Sequence, residues 1–145
     1  GCRPDIKEGW RFETETGSLD FNEILVIFDA LAVDLTFVDE YKKVKFFTKP
    51  KDRIFPRSPA VIGMDVEKCH PPESVHVVNE ILDAFKEGRQ DNAVFWIRVK
   101  GRMILIQYFA VRDSMGRYLG TLEVSQDITD IVKLEGERRL LHFNK

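Results

Sequence analysis

Three β-rich runs in the last third of the chain, residues 93–99, 102–112 and 118–128, constrain its fold more than any other feature. Lys100-Gly101 separates the first two and Asp113-Ser114-Met115-Gly116 the last two, with turn-forming residues where the chain must reverse. Runs joined so tightly pair with their sequence neighbours, so a three-stranded antiparallel meander is predicted. A sheet buries its apolar side chains only against another layer, and the upstream residues must supply that layer.

Two helices are legible there. Asp20 is an N-cap with Glu23 three residues on, and Leu19 and Ile24 occupy the two positions of a hydrophobic staple. Phe21, Ile24, Leu25, Phe28 and Leu31 recur at helical spacing, so residues 18–32 form a helix with one apolar face. The second helix starts at Pro71 or Pro72, where a missing N–H costs nothing, and stops at Gly88. Its stripe of Val75, Val78, Ile81, Leu82 and Phe85 suits packing on a sheet. Residues 34–38 and 44–48 read as two short strands around an Asp39-Glu40-Tyr41-Lys42 turn. Pro50, Pro56, Pro59, Gly63, Pro71 and Pro72 break residues 49–72 into loops and short helical turns. Residues 1–17 are polar and aperiodic apart from Trp10 and Phe12, and read as a lead-in. Residues 130–141 suit a terminal helix, weakened at Gly136 by about 1 kcal/mol relative to Ala. The organisation is a lead-in over 1–17, one domain over 18–130 and a helical tail over 131–145.

Composition excludes several function classes. With 145 residues, 43% of them hydrophobic and 32% charged, the chain fits one globular domain with a real core. A net charge of -2 argues against nucleic-acid or anionic-membrane binding, and Lys42, Lys43 and Lys45 read as a solvated strand end. No apolar run approaches the roughly 20 residues of a membrane span and no signal peptide is visible, so a cytoplasmic location is expected. The opening Gly1 in place of Met implies an excised fragment carrying a residue added for expression. Cys2 and Cys69 are too few for a disulfide framework and lack C-x-x-C spacing, so both are read as thiols. There is no phosphate-binding Gly-rich loop, no G-x-S-x-G elbow and no H-E-x-x-H pair, so the chain is not read as an enzyme.

The order of elements, with the run Asp113, Gly116, Arg117, Tyr118, Leu119, Gly120, Thr121 and the closing Asp127-Ile128-Thr129, resembles PAS domains over residues 19–134. The resemblance implies an α+β fold: a five-stranded antiparallel sheet with helices on one face, an N-terminal helix and a C-terminal exit helix. It also implies a sensory module that holds a small molecule in a cavity, or else a ligand-free dimerisation or docking module. Residues 54–59, 69–75 and 134–139 are similar to a narrower group in which a PAS domain follows a hemerythrin-like region, in bacterial or archaeal proteins. An upstream hemerythrin-like domain of the same parent and a second copy of the chain are the partners this implies.

By resemblance to the family's strand pattern, Ile104, Ile106 and Tyr108 face the cavity together with Thr121, Glu123 and Ser125. Leu105, Phe109, Leu122 and Val124 then form the outer face, to be covered by the 18–32 helix or a dimer partner. Glu123 in an apolar cavity must be paired, hydrogen-bonded or neutralised. It either anchors a polar ligand or sits at the rim and binds an arginine such as Arg98. Tyr108 is a ligand contact or a core aromatic with its hydroxyl satisfied. Cys69 joins the candidate cavity residues, against the plainer reading of a buried thiol beside a capping His70. A Cys69-His70 metal site supplies only two ligands, and redox sensing through Cys69 lacks a nearby resolving thiol. Haem is disfavoured because His76 falls opposite the apolar stripe of its helix, and flavin because no photosensor cysteine segment is present. Asp127, Ile128 and Thr129 are the expected signal relay, where the family joins its last strand to the exit helix.

Overall fold

In the computed structural model, which describes residues 10–141 and 143, a short hairpin precedes the predicted elements. Its strands are β1 (Arg11–Thr14) and β2 (Gly17–Asp20), paired from Arg11 opposite Asp20 to Thr14 opposite Gly17. Part of the expected lead-in is therefore ordered as strand. Asp20 then caps α1 (Phe21–Ala30), its carboxylate accepting from the Glu23 N–H at 2.8 Å while Glu23 accepts from the Asp20 N–H at 3.0 Å. The capping box satisfies two donors that a helix start otherwise leaves open.

The main sheet contains β3 (Asp34–Asp39), β4 (Val44–Phe47), β5 (Asn92–Val99), β6 (Arg102–Arg112) and β7 (Tyr118–Asp127). Its order is β4-β3-β7-β6-β5, antiparallel throughout, so the last strand lies in the centre and pairs with the first. The fold class is α+β, as expected. Short helical turns at Pro59–Val61 and Val66–Cys69 fill the proline-rich stretch before α2 (Pro72–Lys86).

Alternation along the strands sorts side chains between two faces. Asp34, Thr36 and Val38 of β3, Ile104, Ile106 and Tyr108 of β6, and Thr121, Glu123 and Ser125 of β7 are all buried. Val78, Leu82 and Phe85 of α2 are buried with them, so the core lies between α2 and this inner face.

The outer face departs from expectation. α1 carries no buried residue, and Phe28 meets Phe46 at 6.1 Å between ring centroids, on the β4 edge of the sheet. At the opposite edge Val94 is 53% and Trp96 64% exposed. The helix therefore leaves the β5 side of the outer face open. The expected terminal helix over 130–141 is also absent: one helical turn at Ile131–Lys133 is followed by extended Leu134 and a Gly136 at φ +63°. Ile131, Val132 and Leu134 are exposed, so no apolar surface among the described residues holds a helix there.

Candidate functional site

A cavity of about 580 Å³ lies between α2, the segments at 55–57 and 69–71, and the inner face of the sheet. The loop that forms one wall is fixed by a buried ion pair. Asp34 Oδ2 accepts from the Ile54 and Phe55 N–H groups at 2.7 and 3.1 Å and lies 3.5 Å from Arg53 Nε. Arg53 in turn donates to the carbonyls of Thr48 and Phe55 at 2.8 and 3.0 Å. A carboxylate and a guanidinium so satisfied hold residues 53–55 rigidly on the sheet. Phe55, Pro56 and Arg57 then line the cavity.

Glu123 lies on β7 opposite Tyr108 of β6 and Thr36 of β3. Its Oε2 is 3.8 Å from Arg57 Nη2, and both side chains are about nine-tenths buried. Ser125 Oγ donates to Glu123 Oε1 at 3.4 Å. Burial, and then the Glu123 carboxylate, pushes the Tyr108 phenol far above its ordinary range, so this hydroxyl stays protonated as a donor toward Glu123. Phe95 stacks on Tyr108 at 5.9 Å from the other side. Sequence reasoning offered Arg98 as the partner of Glu123; Arg98 is exposed, and Arg57 is the cation that meets the carboxylate. The parity of β5 carries the reason. Phe95 and Ile97 line the cavity, so Arg98 points to the other face, whereas Arg57 comes from a loop whose path no periodicity reveals.

Of the residues expected at the cavity, Ile106, Tyr108, Glu123 and Cys69 line it. Ile104, Thr121 and Ser125 share the same sheet face but sit in the packed core beside it. The Thr121 hydroxyl bonds the Tyr118 hydroxyl at 2.8 Å, and Ser125 supports Glu123. Cys69 is half-buried, its Sγ 3.9 Å from the Asp65 carbonyl, and His70 Nδ1 donates to the Val66 carbonyl at 2.9 Å. Both bonds close the last turn of the short helix before α2, a capping role. Among the described residues no three His, Cys, Asp or Glu side chains gather as a metal site, and Cys2 lies outside those residues. His76 is exposed on α2.

At the other end of β7, Asp127 Oδ1 accepts from the Thr129 N–H at 3.0 Å and from its hydroxyl at 2.5 Å. These two bonds hold the Asp127 carboxyl below the usual carboxylate range. The Thr129 hydroxyl also accepts from the Met103 N–H at 3.0 Å, and the Ile128 N–H donates to the Met103 carbonyl at 2.9 Å. The departing chain is thus tied to the first residues of β6. β7 carries Glu123 at the cavity and this knot at its end, four residues apart.

The PAS domain family model matches residues 24–129. The crystal structure of a C-terminal domain from Streptococcus mutans is 26% identical, with a TM-score of 0.81 over 89% of this chain and 100% of that one. The PAS domain of a protein from Colwellia psychrerythraea is 20% identical, with a TM-score of 0.58 over 75% of this chain and 97% of that one. The PAS domain of Bordetella pertussis BvgS is 14% identical, with a TM-score of 0.55 over 76% of this chain and 89% of that one. No curated protein matches the chain. Among the described residues no helix is long and apolar enough to cross a membrane. With the sheet order, the α2 cover and a family match spanning most of its length, this chain belongs to the PAS domain family.

Proposed function

We propose that this chain is a PAS-type sensor that takes a small molecule into the cavity beneath α2 and regulates an attached or partner domain through its flanking segments. The observation that carries this reading is the continuity of β7, which runs from a charged cavity residue, Glu123, to Asp127, where the Asp127-Ile128-Thr129 knot begins. The cavity volume falls in the range of small-molecule sites. A ligand acts only if it binds two states of the exit segment with different affinity. Residues 54–59, 69–75 and 134–139 favour a parent protein with a hemerythrin-like region upstream, and the similarity to a C-terminal domain from Streptococcus mutans agrees with a terminal position. A cytoplasmic location fits such a parent. Native mass spectrometry and visible absorbance of freshly purified protein test the reading. An added mass, or a molecule whose addition alters exchange of the Ile128–Leu134 amides, supports it; an empty protein that binds nothing from a small-molecule panel sinks it.

A second reading, a ligand-free dimerisation module, is favoured by the open part of the outer face. Val94, Trp96 and Phe109 are exposed there, as are Val26 and Ile27 of α1. Such a patch is the kind that partners cover. Sedimentation at micromolar concentration decides: this reading requires a dimer that Trp96→Lys dissociates, and a strict monomer removes it.

A further inference from the structure

We propose that the cavity ligand is an uncharged molecule with an apolar body and one carbonyl-type acceptor, a ketone, amide or ring carbonyl, that accepts from the Arg57 guanidinium. The inference rests on the sensor reading and adds the chemistry of the ligand.

Arg57 lines the cavity with about nine-tenths of its side chain buried. Its ionic neighbour is Glu123, and at 3.8 Å the pair is too long for a hydrogen bond. Arg57 Nε is fully enclosed and has no hydrogen-bond partner among the described residues. Arg53 makes the contrast, since it donates to Thr48, Phe55 and Thr36. One buried guanidinium thus donates from each of its three nitrogens, and the other holds its charge partner without donating to it. That Nε is walled off from the cavity, so an acceptor there meets the Nη groups, which make no hydrogen bond among the described residues, and a buried charged donor rewards an acceptor more than water does.

Charge selects the kind of acceptor. Asp34 and Glu123 balance Arg53 and Arg57, pairwise, at 3.5 and 3.8 Å. Glu73 lies exposed on the cavity lining and adds a further negative charge. An anion placed on Arg57 would leave uncompensated negative charge beside Glu123 in a poorly solvated site, whereas a carbonyl oxygen supplies the lone pair with no net charge. Val77, Val78, Ile81, Phe95, Ile97 and Ile106 make the rest of the wall apolar, which fixes the body of the ligand.

Three probes of nearly equal shape test this on the whole chain: benzylacetone, hydrocinnamate and isopentylbenzene, which differ in presenting a ketone, a carboxylate or a hydrocarbon branch. Titrations followed by proton–nitrogen correlation spectra report both affinity and the Arg57 Nε–H resonance. The expected result is that benzylacetone binds about tenfold tighter than isopentylbenzene, as a hydrogen bond to a charged donor implies, and moves the Arg57 resonance. Arg57→Lys keeps the charge opposite Glu123 and loses the planar donor set; it should abolish the ketone preference while hydrocarbon binding stays within about twofold. Hydrocinnamate binding as tightly as the ketone, a hydrocarbon that matches it, or an unmoved Arg57 resonance overturns the inference and leaves the sensor reading standing. Failure of all three probes to bind overturns the inference, while the sensor reading is decided separately by the retained mass and the wider panel.

Discussion

At the scale of single residues, the site is decided by where a buried charge finds its partner. Glu123 was legible as a carboxylate on the inner face, because strand parity is readable once the meander is placed. Arg57 was not, because it arrives on a Pro-bounded loop, Pro56-Arg57-Ser58-Pro59, whose course depends on Asp34 gripping the Ile54 and Phe55 amides from another element. Tyr108 carries a testable consequence. Its folded pKa is raised by burial and by Glu123, while the unfolded chain ionises its tyrosines near pH 10. Above that pH the unfolded state loses a proton that the folded state keeps, so stability is unaffected below about pH 10 and falls as pH rises beyond it. Phenolate absorbance should therefore leave Tyr108 silent until the protein unfolds. Tyr108→Phe should flatten the alkaline loss of stability; an unchanged slope would place the effect elsewhere. Gly120 is a second residue whose identity is forced. Its φ is +156°, and a Cβ there would collide with the Val38 carbonyl oxygen and lie 2.7 Å from the Phe37 ring. Gly120→Ala is expected to cost at least about 3 kcal/mol in urea unfolding, since the obstacle is backbone in the central strand pair.

Whole elements were legible in proportion to how much of their stability is local. α2 announced itself by a proline start, a glycine stop and an apolar stripe, and it lies at Pro72–Lys86 as that pattern required. The residues 130–141 had comparable propensity yet form one short turn, because helices of this length depend on a surface to pack against and the described residues offer this segment none. The β1–β2 hairpin was missed for the opposite reason: its four-residue strands are fully or half exposed and leave no alternating apolar signal beyond Phe12 and Leu19. Within α2 the two sides of the helix should respond differently to truncation. Leu82 is 3% exposed in the core, and Leu82→Ala should cost about 2–5 kcal/mol by leaving a void. Val77 is 41% exposed on the cavity wall, and Val77→Ala should cost less than about 1 kcal/mol. Chemical denaturation of both variants measures the difference, and similar losses would mean that the cavity wall is part of the packed core.

For the molecule as a whole, the pairing that closes the fold is the one local patterns cannot supply. Hairpin signals joined β3 to β4 and β5 to β6 to β7, but the contact of β3 with β7 spans most of the chain and entered only through resemblance to a family. That long-range pair makes β7 the most interior strand, bonded on both sides from Gly120 to Ser125. The hairpin and α1, in contrast, contribute no buried residue, and α1 meets the sheet at its β4 edge through Phe28 and Phe46. Stability should therefore be divided. Native-state hydrogen exchange of the isolated chain should give β7 and β6 amides opening free energies equal to that of global unfolding, while α1 amides open at well under half that value. The outcome also reports on the uncovered face. If α1 and the Trp96 edge become as protected as β7 when protein concentration rises, a second copy covers the surface that Val26, Ile27 and Trp96 leave exposed. If their exchange is fast and independent of concentration, the outer face is open in solution, and the proposed sensor function is left with the segment that leaves Thr129 as its route outward.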